Sequence, residues 1–326
     1  MAIIGIDVSK KKLDCMWLKD LATGKVKSRV FDNTPAGHLA LLEWGEKQTN
    51  EEPGAIHFIM EATGIYHEVL AYQLYQAGAK VSVVNPAQVR NYAKSLGGGT
   101  KTDKKDSLVL ARYGATQVPG LWQPEPEAVR LLKALIARIH AVEEDIQREK
   151  NRLEKAEIVH VSDEILTSIQ TVLGQLEKEK IRLETLIDDH IDQNPELKRN
   201  RQLLESIPGV GPVISRYMIA VIGSRLFVSA SQCAAYVGVV PVQHESGTSV
   251  RGRPRLSKAG DARLRAKLYM AAVASIRCNP DIKRQYERLL KNGKTKMSAL
   301  GAAMRKLVHI CFGVLKHQTP YQAQGQ

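Results

Sequence analysis

The sequence predicts a mixed α/β domain followed by two helical regions, and three observations carry that reading. Short apolar runs divided by turns alternate with helical periodicity over the first hundred residues. Two long heptad-spaced stretches come next, and the last third is basic with helical spacing. At 326 residues the chain exceeds the usual span of one hydrophobic core, so two or three domains are expected.

The elements follow in order. IIGIDVS, LDCMWL and KVKSRVF predict three strands, PAGHLALLEW a helix, AIHFIME a fourth strand, YHEVLAYQLYQAG a second helix and KVSVVNP a fifth strand. Opening on a three-strand meander argues against a dinucleotide-binding fold. The three prolines of PGLWQPEPEA mark a linker, so the expected domains are 1–120, 121–200 and 201–326.

The middle region predicts two helices of coiled-coil character. Leu132, Leu135, Ile139, Val142, Ile146 and Leu153 form one stripe, and Ile165, Ile169, Val172, Leu176, Leu183 and Leu186 the other. Such a stripe needs a partner, which is either the other helix of the same chain or a second subunit. The final region reads as mostly helical, opening with the turn IPGVGP.

Charge is unevenly spread. The net formal charge is +13, but residues 1–200 carry about −2 while residues 201–326 hold 20 basic and 5 acidic side chains, a net +15. A one-sided field of this kind is a polyanion footprint, although an anionic membrane surface would also attract it. The N-terminal apolar run is too short for a signal peptide, and no stretch is expected to reach the length of a membrane span. Cys15, Cys233, Cys278 and Cys311 lack paired spacing, so reduced thiols in a cytoplasmic protein are expected and zinc is not.

Four acids suggest chemistry. Asp103 and Asp106 stand three apart in TDKKDS, which on one helical turn puts them on one face about 5–6 Å apart. Singly they read as well as a helix cap and a first-turn acid. Asp7 and Glu61 each end an apolar strand run, where a turn role is the plain alternative. Together the four predict a carboxylate cluster at one sheet edge that needs Mg2+, with Mn2+ as the other hard cation suited to oxygen ligands. Lys101, Lys104 and Lys105 would then face phosphates.

The C-terminal region supplies candidates for nucleic-acid contact. IPGVGP has the pattern of a helix-hairpin-helix turn, in which Gly209 and Gly211 would expose backbone N–H groups to a phosphate. Arg251, Arg253, Arg255 and Lys258 in the following loop, with Arg263, Arg265 and Lys267 in the next helix, would neutralise several phosphates. Ser246 lies between Glu245 and Gly247, beside His244. Most serines in such loops only satisfy turn backbone.

GIDVSK around Asp7, MEATGIYH at Glu61, KTDKKDS, and IPGVGP…AAYVGVVP…SG…LSKAGDARLRAKLYMAA resemble, in this order, the IS110 type of transposase over the whole chain. The resemblance implies an N-terminal RNase-H-like domain similar to the RuvC resolvase. Its DEDD acids would bind magnesium and match Asp7, Glu61, Asp103 and Asp106. It implies a C-terminal transposase domain whose nucleophilic serine matches Ser246, and in one branch a non-coding bridge RNA that pairs with donor and target DNA.

The function expected is therefore a metal-dependent serine DNA recombinase. It would excise an insertion sequence and insert it through a 5′-phosphoserine link, working as dimers paired into a tetramer. Tyr236, His244 and Ser249 are candidates to assist Ser246. The alternative is a RuvC-like endonuclease whose acids activate water and whose Ser246 is a loop residue.

Overall fold

The structure, a computed structural model, describes residues 1–62, 64–96, 103–242, 245–246, 250–251 and 255–323, with backbone alone at 103–105, 245–246 and 250–251. The chain divides into two compact units, Met1–Pro124 and Glu125–Gln326.

The first unit is built on one five-stranded sheet. Its strands are β1 (Ala2–Val8), β2 (Lys12–Leu18), β3 (Val26–Asp32), β4 (Ile56–Glu61) and β5 (Lys80–Val84), in spatial order β3-β2-β1-β4-β5. β1, β2 and β3 form an antiparallel meander, while β4 runs parallel to β1 and β5 parallel to β4. Antiparallel hairpins on one side and helix-linked parallel strands on the other make this an RNase-H-like mixed sheet, with each predicted strand in place.

Strand alternation sorts the two faces. Ile4, Ile6, Leu13, Cys15, Ile56, Phe58, Met60 and Val81 bury against α1 (Pro35–Thr49) and α2 (Glu68–Gln76). The other face carries Ile3, Gly5, Ile59 and Val84, and α4 (Asp103–Gln117) covers it with Leu110, Val109 and Tyr113. The sequence reading assigned no helix to α3 (Pro86–Ser95), which is mostly polar and buries only Val89. Beyond α4 the chain returns along β5. Trp122 N–H donates to Val81 O at 2.7 Å, and its ring stands edge-on to Tyr72 and Tyr75.

The second unit opens with a helical hairpin, α5 (Glu127–Val159) and α6 (Asp163–Gln193). Ion pairs Lys180–Glu143 at 3.5 Å and Lys150–Glu177 at 3.1 Å show the antiparallel register. The predicted stripes hold in part. Leu132, Ile139, Val142, Ile146 and Leu183 are buried with Ile136, Ile187 and Ile191, whereas Ile165 and Val172 are exposed.

Helices and short ribbons complete the described part of the unit: α7 (Pro195–Glu205), α8 (Pro212–Gly223), α9 (Ala230–Val237), α10 (Ala262–Cys278), α11 (Pro280–Lys291), α12 (Lys296–His317), and the two ribbons described below. α12 corrects one expectation. At 22 residues with a mean hydropathy of 1.3 it is long and apolar enough to cross a membrane. Its apolar side is instead core: Leu300, Ala303, Met304, Leu307, Val308, Cys311 and Phe312 are all buried among the other helices.

Candidate active site

The C-terminal ends of β1 and β4 carry Asp7 and Glu61. The parallel register pairs Ile6 with Met60, so the next residues along, Asp7 and Glu61, are neighbours on adjacent strands about 4.8 Å apart. Both lie on the face that α4 covers, since alternation puts Gly5 and Ile59 there. Both side chains are half-buried.

The glycine at position 5 sets the height of α4 over this face. A Cβ there would collide with the carbonyl oxygen of Ser107 and the backbone nitrogen of Ala111. Further along α4, a Cβ on Gly114 would meet Ile59 and Ile3, so the helix runs back along the β1–β4 groove with its N-terminus at the strand ends. Asp106 immediately precedes Ser107 and is half-buried at that end, and Asp103 begins the helix. The orphan N–H groups of this helix start favour negative charge nearby.

One acid escaped the sequence reading. Asp14 pairs with Asp7 across the β1–β2 hairpin, is buried, and lies 3.0 Å from Lys12 Nζ. The signal was present in LDCMWL, where an acid interrupts an apolar run at the position that mirrors Asp7 about the turn. Asp14 and above all burial push the Cys15 thiol well above its ordinary pKa, so it stays protonated.

These residues supply hard carboxylate oxygens from adjacent strand ends and a helix start, a donor chemistry that suits Mg2+ or Mn2+. Among the described residues, no three acidic, histidine or cysteine side chains already converge on one point. The side chains of Asp103, Lys104 and Lys105, and Lys101 altogether, lie outside the described residues.

In the second unit, the IPGVGP turn joins α7 to α8. Its two glycines differ. Gly209 has φ +92°, and a Cβ there would collide with Ser275, so packing and backbone conformation demand this glycine. Gly211, exposed and with open space where a Cβ would sit, caps α8 without a side-chain cap, and Pro212 follows it as the first helical residue.

The basic loop forms two small antiparallel ribbons. β6 (Pro241–Val242) pairs with β9 (Arg255–Leu256), and β7 (Glu245–Ser246) with β8 (Val250–Arg251). Ser246 and Arg251 therefore sit in the ribbon nearer the loop tip. Arg253, His244 and Ser249 lie outside the described residues.

Arg255 and Lys258 are exposed. Arg263, Arg265 and Lys267 of α10 are engaged within the unit instead. Arg263 pairs with Glu144, Arg265 donates to Gly260 O, and Lys267 stands 3.9 Å from Glu143 and over the Tyr217 ring. Tyr236 is also engaged, under the guanidinium of Arg225.

A carboxylate-edged RNase-H-like sheet joined to a basic helical unit defines the class: a nucleic-acid-processing protein. The chain belongs to the IS110 family of transposases. Residues 4–156 match the DEDD transposase model of that type, and residues 201–287 match the IS116/IS110/IS902 transposase family.

The pilin gene-inverting proteins of Moraxella bovis and Moraxella lacunata are each 34% identical over 98% of this chain and 97% of their own. The transposase for insertion sequence element IS1111A of Coxiella burnetii is 25% identical over 98% and 91%. Among solved structures, Thermus thermophilus RuvC in complex with a Holliday junction substrate is 18% identical over 37% of this chain and all of that one, with a TM-score of 0.26. The non-membrane protein expected from the sequence accords with α12 as a core helix, and these relatives are bacterial.

Two expectations are corrected here. Excision and insertion through a 5′-phosphoserine link gives way, because the relatives at 34% identity over nearly the whole chain are named for inverting a gene. The serine recombinase class gives way with it. The edge that the fold builds for chemistry is made of carboxylates, the donor set of a RuvC-like hydrolytic site, and Ser246 belongs to a separate two-residue strand. The hydrolytic alternative is the better supported.

Proposed function

We propose that this protein is a metal-dependent endonuclease of the RuvC kind, cutting branched DNA formed when duplex segments are inverted or moved. The observation that carries the reading is the register of β1 and β4, which sets Asp7 beside Glu61 under the start of α4. Asp7, Glu61, Asp103 and Asp106 are the residues that would hold Mg2+, with Mn2+ able to replace it. When bound, the cation makes water a stronger nucleophile and offsets charge on the leaving oxygen. The relatives' inversion of a gene and the junction bound by RuvC supply the substrate class.

The second unit grips the nucleic acid. Gly211 is exposed at the start of α8, and Arg255 and Lys258 are exposed for phosphates. The net +15 of residues 201–326 supports duplex DNA together with a non-coding guide RNA as partners. Resolving a junction takes paired cuts and hence at least two active sites. The exposed Ile165 and Val172 of the hairpin fit copies of the chain joining there as dimers, and two dimers as a tetramer.

The test is cleavage of a synthetic four-way junction by the full chain in Mg2+. Nicked products free of protein are expected, and Asp7→Asn and Glu61→Gln are expected to lose cleavage by about a thousandfold while still binding the junction. A denaturation-resistant protein–DNA adduct that disappears in Ser246→Ala would overturn the hydrolytic reading. Undiminished cutting by Asp7→Asn would do the same.

A further inference from the structure

Beyond Asp7 and Glu61 the chain leaves the sheet by two separate routes. β1 turns through Ser9–Lys12 into β2, and β4 runs through residues 62–67 into α2. Asp7 still pairs with Asp14 and Glu61 with Val84, and Ala62 N–H donates to Val84 O at 3.0 Å, but among the described residues the ladder that joins β1 to β4 ends at Ile6 with Met60, so no rung ties the two acids' segments to each other.

Asn33, the first residue after β3, bridges those segments. Its backbone N–H donates to Lys11 O at 2.9 Å. Its side-chain amide donates to Ser9 O at 2.9 Å, two residues past Asp7, and to Tyr66 O at 3.1 Å, five past Glu61. Its Oδ1 lies 2.7 Å from His38 Nε2. Because both amide hydrogens of Asn33 point at carbonyls, Oδ1 must accept, and His38 must carry its proton on Nε2. His38 is buried on α1, and its Nδ1 lies against the side-chain amide of Gln73 on α2, so the Nε2–H tautomer requires that amide to present its NH2 group as the donor.

Local structure does not need this arrangement. The hairpin closes by itself, through Ser9 N–H to Lys12 O at 3.0 Å and the Ser9 hydroxyl to the same oxygen at 2.8 Å. The start of α1 is capped by Thr34, whose Oγ1 accepts from Gly37 N–H at 3.2 Å. The side-chain amide of Asn33 thus serves neither turn nor helix, and what it adds is the link between the two segments.

We propose that Asn33, oriented by His38, is a positioning residue that clasps the segments following Asp7 and Glu61 and so fixes the separation of their carboxylates for a divalent cation. The proposal rests on the reading above that these acids hold the metal. Aspartate is nearly isosteric with Asn33 but would turn lone pairs toward two carbonyl oxygens, so shape alone cannot replace the amide.

The test is Mn2+ binding to the metal-free full chain, followed by electron paramagnetic resonance, alongside amide hydrogen exchange at residues 9–12 and 64–67. Asn33→Asp and Asn33→Ala are each expected to weaken Mn2+ about 10- to 100-fold, as loss of outer-shell partners does, with faster exchange at both segments. His38→Gln keeps a donor for Oδ1 and is expected to stay within about threefold of wild type, whereas His38→Phe falls with the Asn33 variants. The His38 pair tests the clasp without touching either segment, should an Asn33 variant fail to fold.

Wild-type affinity and exchange in Asn33→Asp or in His38→Phe would overturn the clasp. Asp7→Asn separates the two levels. If it abolishes Mn2+ binding while the clasp variants bind normally, only the clasp is wrong. If it binds like wild type, the metal site itself is wrong, and the clasp with it.

Discussion

Gly5 on β1 and Ser107 on α4 approach so closely that a Cβ at position 5 would run into the Ser107 carbonyl oxygen. Backbone opposes backbone there, so no side-chain rotation relieves the clash. Gly5→Ala is therefore expected to lift α4 and cost about 3 kcal/mol, the upper end for overpacking. Gly114→Ala meets the side chains of Ile59 and Ile3, which can shift, and should cost only about 1 kcal/mol. Urea midpoints of the two variants check the ranking. Since α4 carries Asp103 and Asp106, Gly5→Ala should also lose junction cleavage in urea-free buffer, where most of the protein remains folded.

Asp14 adds a third carboxylate beside Asp7, with Lys12 at 3.0 Å as its partner. Its charge strengthens the field at the strand ends without its having to be a ligand. Asp14→Asn is expected to weaken Mn2+ binding about five- to tenfold, on the order of 1 kcal/mol, whereas Asp7→Asn abolishes it. Lys12→Met should act in the opposite sense and tighten binding by a few-fold, because the charge of Asp14 is then uncompensated. A titration of all three variants at one ionic strength decides the matter, and equal loss in Asp14→Asn and Asp7→Asn would make Asp14 a ligand.

Much of the first unit was legible in the sequence, because a sheet buried on both faces writes its strands as short apolar runs such as IIGIDVS and AIHFIME. The placement of Asp7 and Glu61 followed from the same runs. Asp14 and Asn33 did not, since their significance depends on hairpin register and on contacts across 24 and 33 positions in sequence. In the second unit, charge density pointed correctly to a basic region but not to which side chains are free. Arg263 and Lys267 find Glu144 and Glu143 on α5, partners more than a hundred residues away. The heptad stripe includes Leu135, which packs half-buried against the core, but not the buried Ile136, because α5 also serves α8 and so buries a wider stripe than a two-helix seam.

Four histidines bear on stability as pH falls below neutrality. His38 and His57 in the first unit, and His140 and His309 in the second, are each held below the ordinary value of 6.5, chiefly by burial. The folded state therefore prefers neutral imidazole, while the unfolded chain takes up protons as pH falls through about 6.5. Their contribution is fully present above that value and is lost as pH falls toward the lower folded values. The urea midpoint should be level from about pH 8 to 7 and decline from about 6.5 to 5. Replacing His140, which stacks on Tyr217 and faces Arg263, with glutamine should flatten the part of the decline that belongs to the second unit.

The chain beyond α12 braces the IPGVGP turn from behind. Tyr321 N–H donates to Ser206 Oγ at 2.8 Å, and its hydroxyl donates to Asp281 Oδ2 at 2.7 Å. Asn279, at the α10–α11 junction, lies 3.1 Å from that hydroxyl and donates its amide to Pro208 O at 3.3 Å, inside the turn. Burial, then the Asp281 hydrogen bond, pushes the Tyr321 phenol up to about 12, so the donor persists through any working pH. Tyr321→Phe removes one donor from a buried carboxylate at a cost of about 1–2 kcal/mol, and should lower the melting temperature of the second unit by roughly 2–8 °C. If the brace holds Gly211 in position for a phosphate, junction affinity should fall several-fold in the same variant, while Mn2+ binding by the first unit is unchanged. Unaltered melting and affinity would mean that the turn keeps its shape without the C-terminal segment.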